Sequence, residues 1–328
     1  MSHVIPDPAR ASASSRSPRT AQPAWADRVR ELALAPTWVM LRVILRALQL
    51  SLLGALVPAH AQSDAVARGE YLFHAAGCAT CHTRPEGDDA PAGEALAGGR
   101  ALDTPFGRFY SPNITPHPDL GIGRWSAEDL WRALSEGVGP GGIHYYPVFP
   151  YTSYTRMRRE DSDAIHAYLM SVQPHAVPNR KHELAWYVRW RFANRVWKWL
   201  FLDQERFVLA PDKDAAWNRG AYLVDALGHC GECHSLRNRA GAVQRERHLV
   251  GNPEGPDGES VPSIRSDGED GIGDWSRSEI ATYLNSGEDP DFDFAGGAMV
   301  EVIEDNTSRL SDDDRNAIAT YLKDLPPL

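Results

Sequence analysis

An internal duplication constrains this chain more than any other feature. Arg68-Gly69-Glu70-Tyr71-Leu72 leads to Gly77 and Cys78-Ala79-Thr80-Cys81-His82, and Arg219-Gly220-Ala221-Tyr222-Leu223 leads to Gly228, His229 and Cys230-Gly231-Glu232-Cys233-His234. Gly121-Ile122-Gly123-Arg124-Trp125-Ser126 recurs as Gly271-Ile272-Gly273-Asp274-Trp275-Ser276. Each half closes on a similar segment, Ala164 to Leu169 and Ala317 to Leu322. A period near 150 residues is far too long for a solenoid and reads as a duplicated domain. The expected organisation is a first domain over 62–175, a helical aromatic linker over 176–212 and a second domain over 213–328. Ser126, Ser276 and Ser311 stand where helix N-caps belong, and no stretch alternates as a strand should. The expected fold is therefore mostly α, with irregular loops so long that something must fill the space between them.

The four cysteines say what that filling is. All of them lie in the two Cys-x-x-Cys-His segments, the attachment signature of c-type haem. Two thiols three residues apart at a helix end reach the two vinyl groups on one porphyrin edge, and the adjacent histidine falls beneath the iron. A four-cysteine zinc site needs its pairs about 15–20 residues apart, but Cys81 and Cys230 stand in separate repeats. A thioredoxin-like pair needs a βαβ setting, and simple disulfides leave the repeated histidine unexplained. The reading is two covalent haem c groups, on Cys78 and Cys81 and on Cys230 and Cys233, with His82 and His234 as proximal ligands. Of the five methionines, Met1 and Met40 fall in the leader and Met170 is expected on the surface of its helix. Met157 and Met299 remain as sixth ligands, with His144 and His229 as fallbacks. Methionine–histidine ligation suits electron transfer.

The first 61 residues do not read as fold. Residues 1–39 are expected to be a non-native extension, with translation starting at Met40. Residues 40–61 then form a signal peptide: Arg42 and Arg46, an apolar run from Ala47 to Val57, and Ala59-His60-Ala61 as cleavage site. The apolar run is too short to span a bilayer comfortably. The expected location is the periplasm, with cleavage after Ala61. Residues 62–202 carry 15 basic and 15 acidic side chains, against 12 and 26 in 203–328. That acidity excludes nucleic acid as a partner and suits a basic redox acceptor, especially around 288–293, Glu301, Glu304 and Asp305. Residues 183–202 are expected to be one helix whose stripe of Trp186, Trp190, Ala193, Trp197, Leu200 and Phe201 packs between the domains, with Arg191, Arg195 and Lys198 on another face. A membrane-surface contact through this segment is the alternative.

On these motifs the chain resembles the dihaem members of the class I cytochrome c family. It is similar in particular to the cytochrome subunits that accept electrons from periplasmic alcohol, aldehyde and sugar-acid dehydrogenases. Besides the haem motifs, Thr104 to Gly107, Asn113-Ile114-Thr115, Phe149 to Tyr154 with Met157, and Met299 to Val302 carry the resemblance. It implies Met157 and Met299 as axial ligands, and Gly69 and Gly220 as the points where the first helix of each domain crosses the last at Tyr168 and Tyr321. It implies an electron-transfer protein with no catalytic residue of its own, serving a periplasmic or membrane-associated dehydrogenase as donor and a basic cytochrome or oxidase as acceptor. The best-known subunits of that kind have three haem motifs and a C-terminal membrane segment; two motifs and no apolar tail are found here. The alternative is a dihaem cytochrome c peroxidase, whose two halves are unlike, whereas these are near copies.

Overall fold

The computed structural model describes residue 42 and residues 59–86, 93–255, 258–266, 271–326 and 328. The expected extension over 1–39 and most of the signal peptide over 40–61 lie outside these residues. Residues His60–Leu328 form one compact unit. Within this unit the two repeats share one buried interior. Leu72, Phe73, Tyr154, Met157, Ile165 and Leu169 of the first repeat belong to the same buried cluster as Tyr222, Val224, Leu227, Ile318, Tyr321 and Leu322 of the second.

The first repeat runs α1 (Ala59–Ala75), α2 (Cys78–His82), β1 (Ala101–Thr104), β2 (Gly107–Tyr110), α3 (Ala127–Glu136), β3 (Val138–Gly139), β4 (Ile143–His144), α4 (Tyr151–Tyr154) and α5 (Arg159–Leu169). After β5 (Glu183–Leu184) and α6 (Phe192–Phe201), the second runs α7 (Ala215–Tyr222), α8 (Gly231–His234), α9 (Arg277–Ser286), α10 (Ala298–Asp305) and α11 (Asp312–Lys323). Capping chemistry places the helices as the sequence suggests. Ser126 and Asp129 form a reciprocal capping box on α3, Ser276 and Glu279 the same on α9, and Ser311 caps α11.

The crossing glycines are where they were expected. A Cβ on Gly69 would stand 2.0 Å from the Ala164 carbonyl oxygen and 2.9 Å from the Tyr168 Cβ; on Gly220 it would stand 2.0 Å from the Ala317 carbonyl oxygen and 2.8 Å from the Tyr321 Cβ. Only glycine lets the two helix backbones approach this closely.

Three expectations need correcting. Sheet is present: β1, β2 and β5 form a small antiparallel sheet in that order, and β3 pairs with β4. The strands are too short for alternation to be visible in sequence. Met170 is half-buried at the end of α5, packed against the core rather than on the surface. The linker is not one helix over 183–202, because only Phe192–Phe201 is helical, and its two buried side chains are polar. Asn194 and Lys198 are buried, while Trp186, Trp190 and Leu200 of the expected packing stripe are exposed. Lys198 turns inward because its ammonium donates to the Glu136 and Gly137 carbonyls at 2.7 and 2.6 Å, satisfying the end of α3.

Candidate haem sites

Each cysteine motif forms one helical turn, and each is framed by the same contacts. The His82 Nδ1–H donates to the Pro112 carbonyl and the His234 Nδ1–H to the Pro262 carbonyl, both at 2.8 Å. With Nδ1 holding the proton, each Nε2 keeps its lone pair for a metal. Burial lowers the affinity of both rings for a second proton, which preserves that ligating form. All four cysteines are free thiols. Burial pushes Cys78 and Cys230 up to about 12 and Cys233 to about 11, so they sit as neutral thiols beside the histidines. Paired thiols with an adjacent singly protonated imidazole are the donor set that covalent haem c needs, and the residues fit that group.

Further contacts are duplicated around the motifs. The backbone N–H groups of Gly98 and Gly251 donate to the His82 and His234 carbonyls, both at 2.7 Å. Arg100 donates to the Thr80 carbonyl at 3.0 Å, and Arg237 to the Glu232 carbonyl at 2.7 Å. The prolines and arginines escaped the sequence reading. The prolines follow their histidines at similar but unequal distances and the arginines at quite different ones, so only the fold shows that a carbonyl and a guanidinium meet each motif.

Met157 is fully buried just before α5, and Met299 is half-buried in the first turn of α10. Met157 belongs to the shared core, and Met299 packs against it. The fallback histidines are otherwise engaged. His144 Nδ1 meets the Lys198 ammonium at 3.0 Å, and His229 packs edge-on to Tyr154 with ring centroids 5.5 Å apart. Glu301 is paired with Arg100 of the other repeat, so its charge is spent inside the molecule rather than offered to an acceptor.

The repeats exchange side chains. The Tyr71 hydroxyl of the first repeat donates to Asp314 of the second at 2.6 Å, and Tyr222 of the second donates to Asp161 of the first at 2.5 Å. Each aspartate also pairs with the arginine three residues before its own repeat's tyrosine, Asp161 with Arg68 and Asp314 with Arg219. Each tyrosine oxygen in turn accepts a backbone N–H at the start of the other repeat's last helix, from Ser311 and Arg158 at 3.1 and 3.0 Å. Beside this exchange, Thr152 and Ser153 of the first repeat donate to Glu232 inside the second motif. The arrangement is that of a two-fold dimer written in one chain.

The cytochrome c family model matches residues 66–173. A diheme cytochrome c-type protein of Cereibacter sphaeroides is 44% identical over 268 residues, covering 80% of this chain and 86% of that protein. The chain belongs to the cytochrome c family. Other relatives of this cytochrome are a nicotinate dehydrogenase subunit of Pseudomonas putida, 41% identical over 79% of the chain, and the gluconate 2-dehydrogenase cytochrome c subunit of Pantoea cypripedii, 38% identical over 83%. The chain spans 62% of the Pantoea protein and 21% of the Pseudomonas protein. Relatives of this kind support electron transfer, with no catalysis of its own, over the peroxidase alternative.

Proposed function

We propose that this cytochrome c carries two haem c groups and passes electrons from a partner dehydrogenase to a downstream redox acceptor outside the cytoplasm. Cys78 and Cys81 bind the first group and Cys230 and Cys233 the second, with His82 and Met157, and His234 and Met299, as the axial pairs. The residues fall into two domains, 62–175 and 213–328, behind a signal peptide cleaved after Ala61. The bound groups would supply one-electron chemistry at iron, and the protein would supply their ligands and surroundings. The observation that carries the reading is the matched pair of histidines, each with Nδ1 held by a proline carbonyl and two free thiols beside it. Met157 in the closed core would keep water from the iron, which favours a stable six-coordinate carrier over an open catalytic site. The donor is inferred from the relatives named as dehydrogenase subunits, the acceptor from the acidic second repeat, and a membrane-surface contact from residues 183–202.

The test is a haem count and a ligand test on protein matured with the c-type assembly machinery. Two covalent haems per chain are expected, both low-spin when reduced. Met157→Ala and Met299→Ala should each open one iron to exogenous ligand and lower one potential. One haem per chain, or brisk peroxide turnover by the wild type, would overturn the assignment.

A further inference from the structure

The polar bonds that turn Lys198 inward also fix the rotation of α6. Asn194 Nδ2 adds a bond to the His144 carbonyl at 3.3 Å, and the indole N–H of Trp197 donates to the Ala240 carbonyl at 2.8 Å. With that side committed to the body, α6 leaves Phe192 and Trp199 in solvent, and the segment just before it exposes Trp186 and Trp190. Trp186 is 75% exposed, Trp190 73%, Phe192 71% and Trp199 82%. Exposing four large rings together is costly in water and is the mark of a surface that meets something else.

Charge says what that is. Residues 184–202 contain no acidic side chain, in a chain of net charge −10. Arg189, Arg191 and Arg195 are exposed in the same segment; Arg189 donates to the Leu184 carbonyl at 3.0 Å and Arg191 to the His144 carbonyl at 3.2 Å, and no described carboxylate forms a salt bridge with any of the three. The acids that bracket the segment are engaged elsewhere: Glu183 accepts from the Tyr110 hydroxyl at 2.8 Å, and Asp203 pairs with Arg245 at 2.5 Å. An acidic protein thus shows one locally cationic, tryptophan-rich face. Projecting indoles need no preformed pocket in a fluid lipid interface, where they sit at headgroup depth with arginines among the phosphates. A protein partner would need a pocket for each ring.

We propose that the face formed by Trp186, Trp190, Phe192 and Trp199 with Arg189, Arg191 and Arg195 docks this cytochrome on the surface of an anionic lipid bilayer. It lies on the membrane rather than through it; no described helix is long and apolar enough to cross. The inference names the partner of one surface of the proposed carrier, and its test is independent of electron transfer.

The test uses the full chain with its haems, floated with vesicles of phosphatidylcholine alone or doped with phosphatidylglycerol. Flotation is expected with the anionic vesicles and is expected to weaken steeply with salt. Changing Arg189, Arg191 and Arg195 together to Gln should weaken binding about a hundredfold, at roughly fivefold per cation. Changing Trp186, Trp190 and Trp199 together to Ser should do about as much by removing the inserted surface. The haem absorption spectrum and melting temperature report whether each variant is folded. Should a variant fail to mature, quenching of wild-type tryptophan fluorescence by brominated phosphatidylglycerol vesicles replaces it, and strong quenching is expected. Absence of both flotation and quenching would overturn the proposal and assign the face to a protein partner. So would flotation that neither set of substitutions in folded protein weakens.

Discussion

The two repeats place their chemistry alike but close it off differently. In the first, α1 runs as a regular helix to Ala75 and turns through Gly77 at φ 64° into the cysteine motif. In the second, the equivalent helix gives way to a π-helical turn over Leu223–Leu227, and His229 takes the left-handed turn at φ 44° in place of glycine. A side chain in that conformation costs about 1 kcal/mol. Here the imidazole fills space beside Tyr154 and Gly77 of the other repeat. The proposed axial methionines differ too, Met157 being fully buried and Met299 half-exposed. The lesson is that two copies of one motif reach the same contacts through different backbone turns.

The sharpest way to break this comparison is at the methionines. Met157→Ala should cost about 3 kcal/mol of stability and Met299→Ala about 1 kcal/mol, because only the first leaves a closed cavity. Denaturant unfolding of the matured protein measures both, and equal losses would erase the distinction.

The crossing glycines test the likeness instead. Gly69→Ala and Gly220→Ala should each cost about 2–3 kcal/mol, since both face a backbone carbonyl that cannot move aside. Tolerance of one alone would show that the two crossings are not equivalent.

The exchanged tyrosines come next. Tyr71→Phe and Tyr222→Phe should each lose about 2 kcal/mol, the range for a hydrogen bond to a charged group, with the fully buried Tyr222 losing more. A double-mutant cycle of Tyr222→Phe with Asp161→Asn should show coupling, and additivity would deny the contact.

Acid should find the second repeat's half of this exchange. Burial pushes the Asp314 carboxyl up, but hydrogen bonds from Arg219 and Tyr71 and the Arg219 charge outweigh it and hold it below the ordinary carboxylate value. A carboxylate depressed on folding stabilises the protein above its unfolded pKa, and loses that contribution as pH falls through the folded value. Stability should therefore decline below the ordinary aspartate range, and Asp314→Asn should flatten that decline in a urea-midpoint profile against pH. The smallest effect is at His229→Gly. Relief of the left-handed strain and loss of packing nearly cancel, so stability should move by under about 1 kcal/mol. A loss of several kcal/mol would make the imidazole a structural keystone.

Much of the candidate site was legible because haem attachment is local in sequence. The thiol and histidine spacing and the N-caps each depend on neighbours a few residues away, whereas the crossing glycines came from the resemblance to the cytochrome c family. The proline carbonyls behind His82 and His234 were not legible, since any residue supplies a carbonyl and only the chain path selects one. The linker was misread for a related reason. Its periodicity marks an apolar stripe, but the helix begins only at Phe192, and the bonds from Lys198 to Glu136, Gly137 and His144 turn a polar side inward, leaving Trp197 half-buried and Leu200 exposed.

By itself the sequence determined that one unit is used twice, that each unit carries a Cys-x-x-Cys-His segment, and where its capped helices begin. Those features rest on short-range spacing, which survives in a linear string. Only the tertiary structure decided that the two units share one core, that each lends a tyrosine to the other's aspartate, and which face of α6 meets solvent. Such choices depend on which distant polar groups must be satisfied once the chain is packed, and no local pattern records them.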